Sequence, residues 1–182
     1  MSSSSMKLST AQTLPKGQQS RPAMAKGSTA TNGKVQDAIA LLKADHKEVD
    51  HLLGKYEEAD ESDKGAIARQ ICTALSVHAQ IEEEILYPAA REVLDDQADE
   101  LVNEADVEHA SIKQLVAEVQ ESSPDDEHYD AKVKVIGEYV KHHVKEEENE
   151  LFPKLAKSEL DTKVLGAQLA ARKAELLASE DA

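Results

Sequence analysis

Apolar residues after Val35 recur at alternating steps of three and four, the spacing of helices that bury one side. The pattern predicts four long helices, each with one histidine on its buried side. The predicted buried positions of the first two are Leu42, His46, Val49, Leu53 and Tyr56, then Ile67, Ile71, Ala74, His78, Glu82 and Ile85. Those of the last two are Val102, Ala105, His109, Ile112, Val116 and Val119, then Val133, Ile136, Val140, His143, Glu147 and Leu151.

The breaks between these helices are predicted from turn residues and prolines. A loop around Asp60 to Gly65, with Ser62 as the N-cap, separates the first two helices. Pro88 perturbs or ends the second helix, and a shorter helical turn continues through Val93 and Leu94. The third helix ends in the turn at residues 122–125.

The two ends of the chain differ from the bundle. Residues 1–33 lack a hydrophobic period and predict a disordered basic tail; a transit peptide is the alternative, which the prolines and glycines disfavour. Residues 34–157 form the predicted bundle, and residues 158–182 an additional C-terminal amphipathic helix and tail. Its apolar residues Val164, Leu165, Leu169 and Leu176 are expected to cap the bundle.

Composition supports an all-α domain and narrows its partners. The 182 residues include 3% aromatic residues, no Trp, 7 Gly and 5 Pro. The net charge is −15, and the first 34 residues contribute +5, so the remainder carries about −20. Such an acidic surface repels phosphate, and no stretch approaches the roughly 20 apolar residues of a membrane span. We therefore expect neither nucleic acid nor membranes as partners.

Cysteine usage indicates the compartment and excludes one kind of metal site. Cys72 is the only cysteine, so the chain forms no internal disulfide and holds no thiolate-based zinc or iron–sulfur centre on its own. Cys72 itself is predicted to be a small core residue. The default expectation is a cytoplasmic protein.

A duplicated cassette carries the candidate chemistry. His78-Ala-Gln-Ile-Glu82 is followed by Leu86-Tyr87-Pro88, and 65 residues further along the chain His143-Val-Lys-Glu-Glu147 is followed by Leu151-Phe152-Pro153. Residues four apart share one helix face, so each cassette presents an imidazole beside a carboxylate. His46 precedes the first cassette and His109 the second by similar distances. The repeat predicts a metal site.

The alternative is that each His-x-x-x-Glu is a solvated surface pair, which is the usual role of an isolated motif. Two aligned copies on buried sides disfavour this, because burying two unpaired carboxylates beside four imidazoles costs several kcal/mol without a cation. Ligands of this kind suit iron, manganese or zinc, and two carboxylates able to bridge favour a pair of ions. The predicted ligands are His46, His78, Glu82, His109, His143 and Glu147.

Other histidines and glutamates are predicted to lie outside the ligand set. His142 also has a glutamate four residues on, but His143 matches His78 in its spacing to proline, so His142 is interpreted as a flanking residue. His51 and His128 are expected to be solvated or structural. The remaining members of the triplets Glu82–Glu84 and Glu146–Glu148 are expected to face solvent.

Asp45-His46, the His78 cassette, Glu108-His109 and the segment from His143 to Pro153 together resemble the hemerythrin-like HHE cation-binding family. The resemblance implies an up-down four-helix bundle around a non-haem di-iron centre. In that family's arrangement His46 and His78 would bind one iron, His109 and His143 the other, and Glu82 and Glu147 would bridge them. Ferritin-like proteins use Glu-x-x-His, and the order here is the reverse.

One departure from the oxygen-carrying members bears on function. Those members have a further histidine four residues after the third-helix ligand, where this chain has Lys113. His142 and Glu83 are the candidates to complete the shell; otherwise one iron keeps an open position. The expected function is therefore binding of oxygen, nitric oxide or a related ligand in sensing, scavenging or iron handling. The alternative is a di-iron redox enzyme acting on peroxide or nitrogen oxides.

Overall fold

The computed structural model describes residues 36–94 and 96–180, which are helical with no strand in these ranges. The long helices are α1 (Ala38–Glu58), α2 (Glu61–Ile81), α4 (Asp96–Glu121), α5 (Tyr129–Glu146) and α7 (Thr162–Glu180). Two short helices, α3 (Tyr87–Val93) and α6 (Phe152–Leu155), continue α2 and α5 through the π-helical turns Glu82–Leu86 and Glu147–Leu151. The predicted all-α class with an extra C-terminal helix is confirmed. The predicted tail, residues 1–33, lies outside the described residues.

Two apolar clusters fill the bundle, one on each side of a buried polar layer. One cluster contains the start of α1, the end of α2 and the inner side of α7, with Leu42, Ile81 and Leu169 as members. The other contains Ile71 and Ile136 from the middle of α2 and α5. Along each of the four long bundle helices, the histidine falls between residues of the two clusters. The polar layer is therefore sealed from water by apolar packing at both ends.

Each cassette contains a π-helical turn that begins at its glutamate. The Tyr87 N–H bonds the carbonyl of Glu82, and the Phe152 N–H bonds that of Glu147, five residues back in both cases. Proline has no N–H and its ring clashes with the carbonyl four residues earlier. The wider turn admits the proline without ending the helix. Of the two predicted outcomes at Pro88, the helix is perturbed rather than ended, and it continues to Val93 but not through Leu94, whose backbone is extended.

Two boundary predictions are wrong. Helix α2 begins at Glu61 after Asp60, so neither Ser62 as the N-cap nor a loop reaching Gly65 is observed. Gly65 is a buried helical residue, and a Cβ there would lie 2.8 Å from Cγ of Pro124. That glycine permits close packing rather than a turn.

Helix α7 packs across α1 and α2 through Leu165 and Leu169. A Cβ on its Gly166 would lie 2.1 Å from the Gln36 carbonyl oxygen, so the two backbones meet directly. Val164 is 55% exposed, which contradicts its predicted place in the cap; it lies on the outer side of the helix. No described helix is both long enough and apolar enough to cross a bilayer.

Candidate metal centre

The structure brings the six predicted ligands together in the polar layer. Helices α1, α2, α4 and α5 each contribute one histidine, and the two π-helical turns contribute the glutamates at their first positions. All six side chains are buried; their residues are at most 6% exposed. The widened turn starts at the glutamate in both cassettes, so the same local feature positions both carboxylates.

The inward-facing atoms form two overlapping groups. His46 and His78 lie with Glu82 and Glu147, and His109 and His143 lie with Glu82, all candidate donor atoms of a group being within 4.8 Å of one another. His78 Nε2 is 3.1 Å and His109 Nε2 is 3.5 Å from Glu82 Oε2. Glu147 Oε2 lies 3.3 Å from Nε2 of His46 and 3.5 Å from that of His143. Each carboxylate thus faces one histidine of the His46 and His78 pair and one histidine of the His109 and His143 pair, as a bridging ligand would.

Several buried atoms of this layer lack hydrogen-bond partners, whereas Nε2 of His109 and Nε2 of His143 lie 3.1 Å apart, within hydrogen-bond distance of each other. Nε2 of His46 and of His78, both oxygens of Glu82 and Oε2 of Glu147 have none among the described residues, although some lie within 3.5 Å of one another. Each buried polar atom left without a hydrogen-bond partner costs about 1–3 kcal/mol of folding free energy. A set of imidazole nitrogens and carboxylate oxygens converging without hydrogen-bond geometry fits a shared cation. These residues therefore suit a metal centre.

The outward nitrogen of each histidine faces a carboxylate. His46 Nδ1 donates to Glu148 at 2.9 Å, His109 Nδ1 to Glu83 at 3.1 Å and His143 Nδ1 to Glu108 at 2.8 Å. His78 Nδ1 faces Asp45 Oδ2 at 3.7 Å, and the other oxygen of Asp45 accepts from Lys173 at 2.7 Å. A carboxylate on Nδ1 fixes the tautomer that leaves Nε2 free and raises its basicity as a ligand.

These four carboxylates follow the internal repeat, and the sequence analysis missed their role. Asp45, directly before His46, faces the cassette histidine His78, and Glu108, directly before His109, faces the cassette histidine His143. Glu83, directly after Glu82, pairs with His109, and Glu148, directly after Glu147, pairs with His46. Glu83 and Glu148, which were expected to face solvent, are partly exposed, and in addition each pairs with a histidine of the layer, which was not predicted. The signal was present in the repeated doublets Asp45-His46 and Glu108-His109, and in the glutamate after each cassette glutamate.

Tyr87 places a buried hydroxyl against the same atoms. Its oxygen donates to Glu147 Oε1 at 3.1 Å and lies 3.3 Å from His109 Nε2. Burial and the charges of Glu82 and Glu147 raise the pKa of Tyr87 well above its usual value. Tyr87 therefore holds a proton beside two candidate ligands, a role that its sequence position in the Leu-Tyr-Pro motif did not reveal.

Two imidazoles of the layer have pKa values shifted in opposite directions. Desolvation, with the neighbouring His143, lowers the pKa of His109 to about 3. Desolvation also acts on His78, but Glu82 and Asp45 outweigh it and raise its pKa to about 10. Without a cation His109 is thus neutral and His78 protonated at neutral pH. Burial and Glu147 raise the pKa of Glu82, because two buried carboxylates repel each other.

A small cavity adjoins the histidines. It has about 20 Å³ of free space and is lined by all four histidines together with apolar side chains, including Val49, Ile112 and Val140. This volume holds one water or a molecule of similar size. A larger groove of about 560 Å³ lies between α1, α2 and α7 and includes Asp45 but none of the six ligands.

Comparison with known proteins decides the family. Residues 37–155 match the Hemerythrin HHE cation binding domain family, which is well over half of the chain. The chain belongs to this family. The predicted family resemblance is thereby confirmed, and the matched range contains the complete cluster of histidines and glutamates.

Two known proteins are similar to this chain. A crystal structure of a hemerythrin HHE cation binding domain-containing protein from Mycobacterium kansasii superposes with a TM-score of 0.67 at 22% identity, covering 79% of this chain and 89% of that one. A DNA nickase from Nostoc sp. (strain PCC 7120 / SAG 25.82 / UTEX 2576) is 29% identical over 132 residues. The match covers 71% of this chain but 36% of the nickase, so the shared part is a minority of that protein.

The structure also places the residues that lie outside the six candidate ligands. Lys113 is 47% exposed in its side chain and pairs with Glu83 at 2.7 Å, on the outer side of His109. Glu83 is thus held away from the inner atoms, and His142, with a 58% exposed side chain, points elsewhere. Neither occupies the position expected for a fifth histidine. His51 and His128 are exposed, as predicted.

Proposed function

We propose that this HHE domain is a non-haem di-iron protein that binds oxygen, nitric oxide or a related small ligand, and acts in sensing, scavenging or iron handling. The observation that carries the proposal is the converging set of imidazole and carboxylate atoms without hydrogen-bond partners. Nitrogen and oxygen donors without thiolate suit iron. Two overlapping donor groups that share Glu82 suit two ions better than one.

The roles follow from the two halves of the layer. His46 and His78 would hold one iron, and His109 and His143 the other. Glu82 and Glu147 would bridge the two ions, because each faces a histidine of both halves. Bound iron would supply redox chemistry and an open position for a small ligand. The chain's own contribution is to hold the imidazoles in one tautomer and exclude water.

The size of the cavity favours a small ligand over an organic substrate. About 20 Å³ of free space beside the histidines accommodates one water-sized molecule. Its other lining residues are apolar, so a diatomic gas enters at little desolvation cost. An organic substrate would need the nearby side chains to move apart.

Peroxide turnover is the second candidate, favoured by Tyr87. Its hydroxyl keeps a proton within hydrogen-bond distance of Glu147 and His109. A proton held there stabilises negative charge that develops on a ligand oxygen. Measuring oxygen evolution from peroxide with the iron-loaded protein separates the two functions: sustained turnover supports the enzyme, and a stoichiometric spectral change with nitric oxide or oxygen supports the binding protein.

The DNA-nicking activity in the name of the Nostoc relative is not carried over. This chain spans only 36% of that protein. In the present chain the sequence after residue 34 has a net charge of about −20, and this negative charge repels a phosphate backbone.

The ligand assignment is tested by four alanine variants. We expect His78→Ala and Glu147→Ala to lower bound iron sharply, because each removes an inner donor atom. His51→Ala and His128→Ala replace exposed histidines and should retain the metal. Equal loss in all four variants would refute the assignment.

A further inference from the structure

A second group of metal-binding side chains lies between α4 and α5, outside the six ligands. His142 Nε2 is 3.3 Å from Glu108 Oε1 and 3.2 Å from Glu146 Oε1. Donor atoms of the three residues all lie within 4.8 Å of one another. The side chains are 58%, 17% and 27% exposed respectively, so solvent reaches the group. One imidazole and two carboxylates form a donor set that divalent transition metals accept.

This outer group is joined to the buried layer in two ways. The second oxygen of Glu108 accepts from His143 Nδ1 at 2.8 Å. A crevice with about 10 Å³ of free space is lined by Glu108 and Glu146 from the outer group and by His143 and Glu147 from the inner one. That space is about the size of a single water molecule. A small ion leaving the outer group would therefore meet inner ligands next.

The internal repeat supplies a comparison within the same molecule. The positions that correspond to His142 and Glu146 in the first cassette are Val77 and Ile81, which are buried and apolar. The first half is also covered by α7, whose Lys173 pairs with Asp45. An ammonium group there repels an approaching cation. The outer donor group thus exists in the half that α7 leaves open.

The charge around the outer group also suits cation capture. Within the described residues, neither Glu108 nor Glu146 forms an ion pair with a lysine or arginine; their basic partners are histidines. The acidic sequence after residue 34 attracts cations towards the protein generally. Two carboxylates at the mouth of a crevice would concentrate them where the buried ligands are within reach.

We propose that Glu108, His142 and Glu146 form a capture site that binds a hydrated divalent iron and passes it to the His109 and His143 half of the centre. This inference rests on the proposed di-iron function. The expected affinity is weaker than at the buried centre, since the outer group has fewer protein donors and remains exposed. Capture and transfer involve exchange of ligands only, so the iron stays ferrous.

The test separates uptake rate from final metal content. Metal-free full-length protein is mixed with ferrous iron held by a chromophoric chelator, and stopped-flow absorbance follows transfer of iron to the protein. Calorimetry with cobalt(II) then counts equivalents bound beyond the first two. His142→Ala and Glu146→Gln are compared with Glu138→Gln, an exposed glutamate on the same helix α5. Glu108 is left unchanged because it also supports His143.

We expect both capture-site variants to lose the weaker third equivalent and to slow ferrous uptake about tenfold or more, the scale typical of losing a metal-site partner. Their final content of two irons should match the wild type. Glu138→Gln should behave as wild type. Slower uptake in His142→Ala cannot come from weaker electrostatic attraction, because that change removes no negative charge.

The outcomes distinguish this inference from the proposed function. Two irons per chain with no third equivalent, and unchanged uptake rates in the variants, would overturn the capture site and leave the di-iron centre standing. A chain that takes up no divalent metal would overturn both.

Discussion

Replacing Glu82 by leucine should stabilise the metal-free protein while removing its response to metal. Glu82 is fully buried, and within the part of the chain that the structure describes neither of its carboxylate oxygens has a hydrogen-bond partner. Each such oxygen costs about 1–3 kcal/mol, partly relieved by protonation, so an apolar side chain of similar size should add about 2 kcal/mol. For a chain of this length that is a rise in Tm of roughly 4–8 °C.

The effect of Glu82→Leu should reverse when metal is present. A ligand at a thousand times its Kd stabilises the wild type by about 4 kcal/mol, and the variant should lose most of this increment. Thermal melts of both proteins, with and without iron or cobalt under anaerobic conditions, measure the four values. Glu138→Leu is the control: its exposed position predicts a stability change within about 0.5 kcal/mol and an unchanged metal response.

The pH dependence of this gain has a defined sign. Burial and Glu147 raise the pKa of Glu82 above its usual 4.5. The folded wild type therefore binds a proton more tightly than the unfolded chain, and its stability falls as pH rises through the folded pKa. The advantage of Glu82→Leu should be small near pH 4.5 and larger at pH 8.

The opposite result would refute this reasoning. In the leucine variant Asp45 stays 3.7 Å from His78 Nδ1 and remains a partner for the protonated imidazole. If Glu82, 3.1 Å from the other ring nitrogen, supplies most of that pairing instead, the leucine variant leaves a buried charge unpaired. That would lower the stability of the metal-free protein by about 3–5 kcal/mol.

Three further predictions concern neighbouring groups. Metal binding near pH 7.5 should release a proton from His78, whose pKa is raised to about 10, and none from His109, whose pKa is lowered to about 3. Calorimetry in buffers of different ionisation enthalpy measures the release, and a binding enthalpy that does not depend on the buffer would contradict it. Tyr87→Phe should keep the metal but weaken azide binding about tenfold, the loss of one hydrogen bond to a charged ligand; unchanged azide affinity would show that the hydroxyl does not face the ligand. Lys113→Met should retain the metal and change stability by less than about 1 kcal/mol, since its pair with Glu83 is exposed; loss of iron would mean that this lysine is needed to hold Glu83 on His109.

The sequence predicted the parts of this molecule that depend on periodicity. The three-and-four spacing located the helices, and the repeat at His78 and His143 put six polar residues in one buried layer. The start of α2 at Glu61, directly after Asp60, was missed because Ser62 and Gly65 resemble turn residues, whereas Gly65 is needed for close packing against Pro124.

The rest of the candidate site depends on contacts between helices, which periodicity does not reveal. Whether Glu83 faces water or His109 is decided by how closely α2 and α4 pack. The Tyr87 hydroxyl reaches the layer because a π-helical turn rotates the following residues. Lys113 stands where the oxygen-carrying members have a further histidine, but in the structure it pairs with Glu83 on the outer side of His109.

The central claim is that the buried layer holds two iron ions. The most direct measurement is elemental analysis of the full-length protein after anaerobic ferrous reconstitution and removal of loosely bound metal, with Mössbauer spectra on the same samples before and after oxidation in air. We predict about two irons per chain and, after oxidation, magnetic coupling between them. One zinc per chain with no iron uptake, or a single uncoupled iron, would contradict the account.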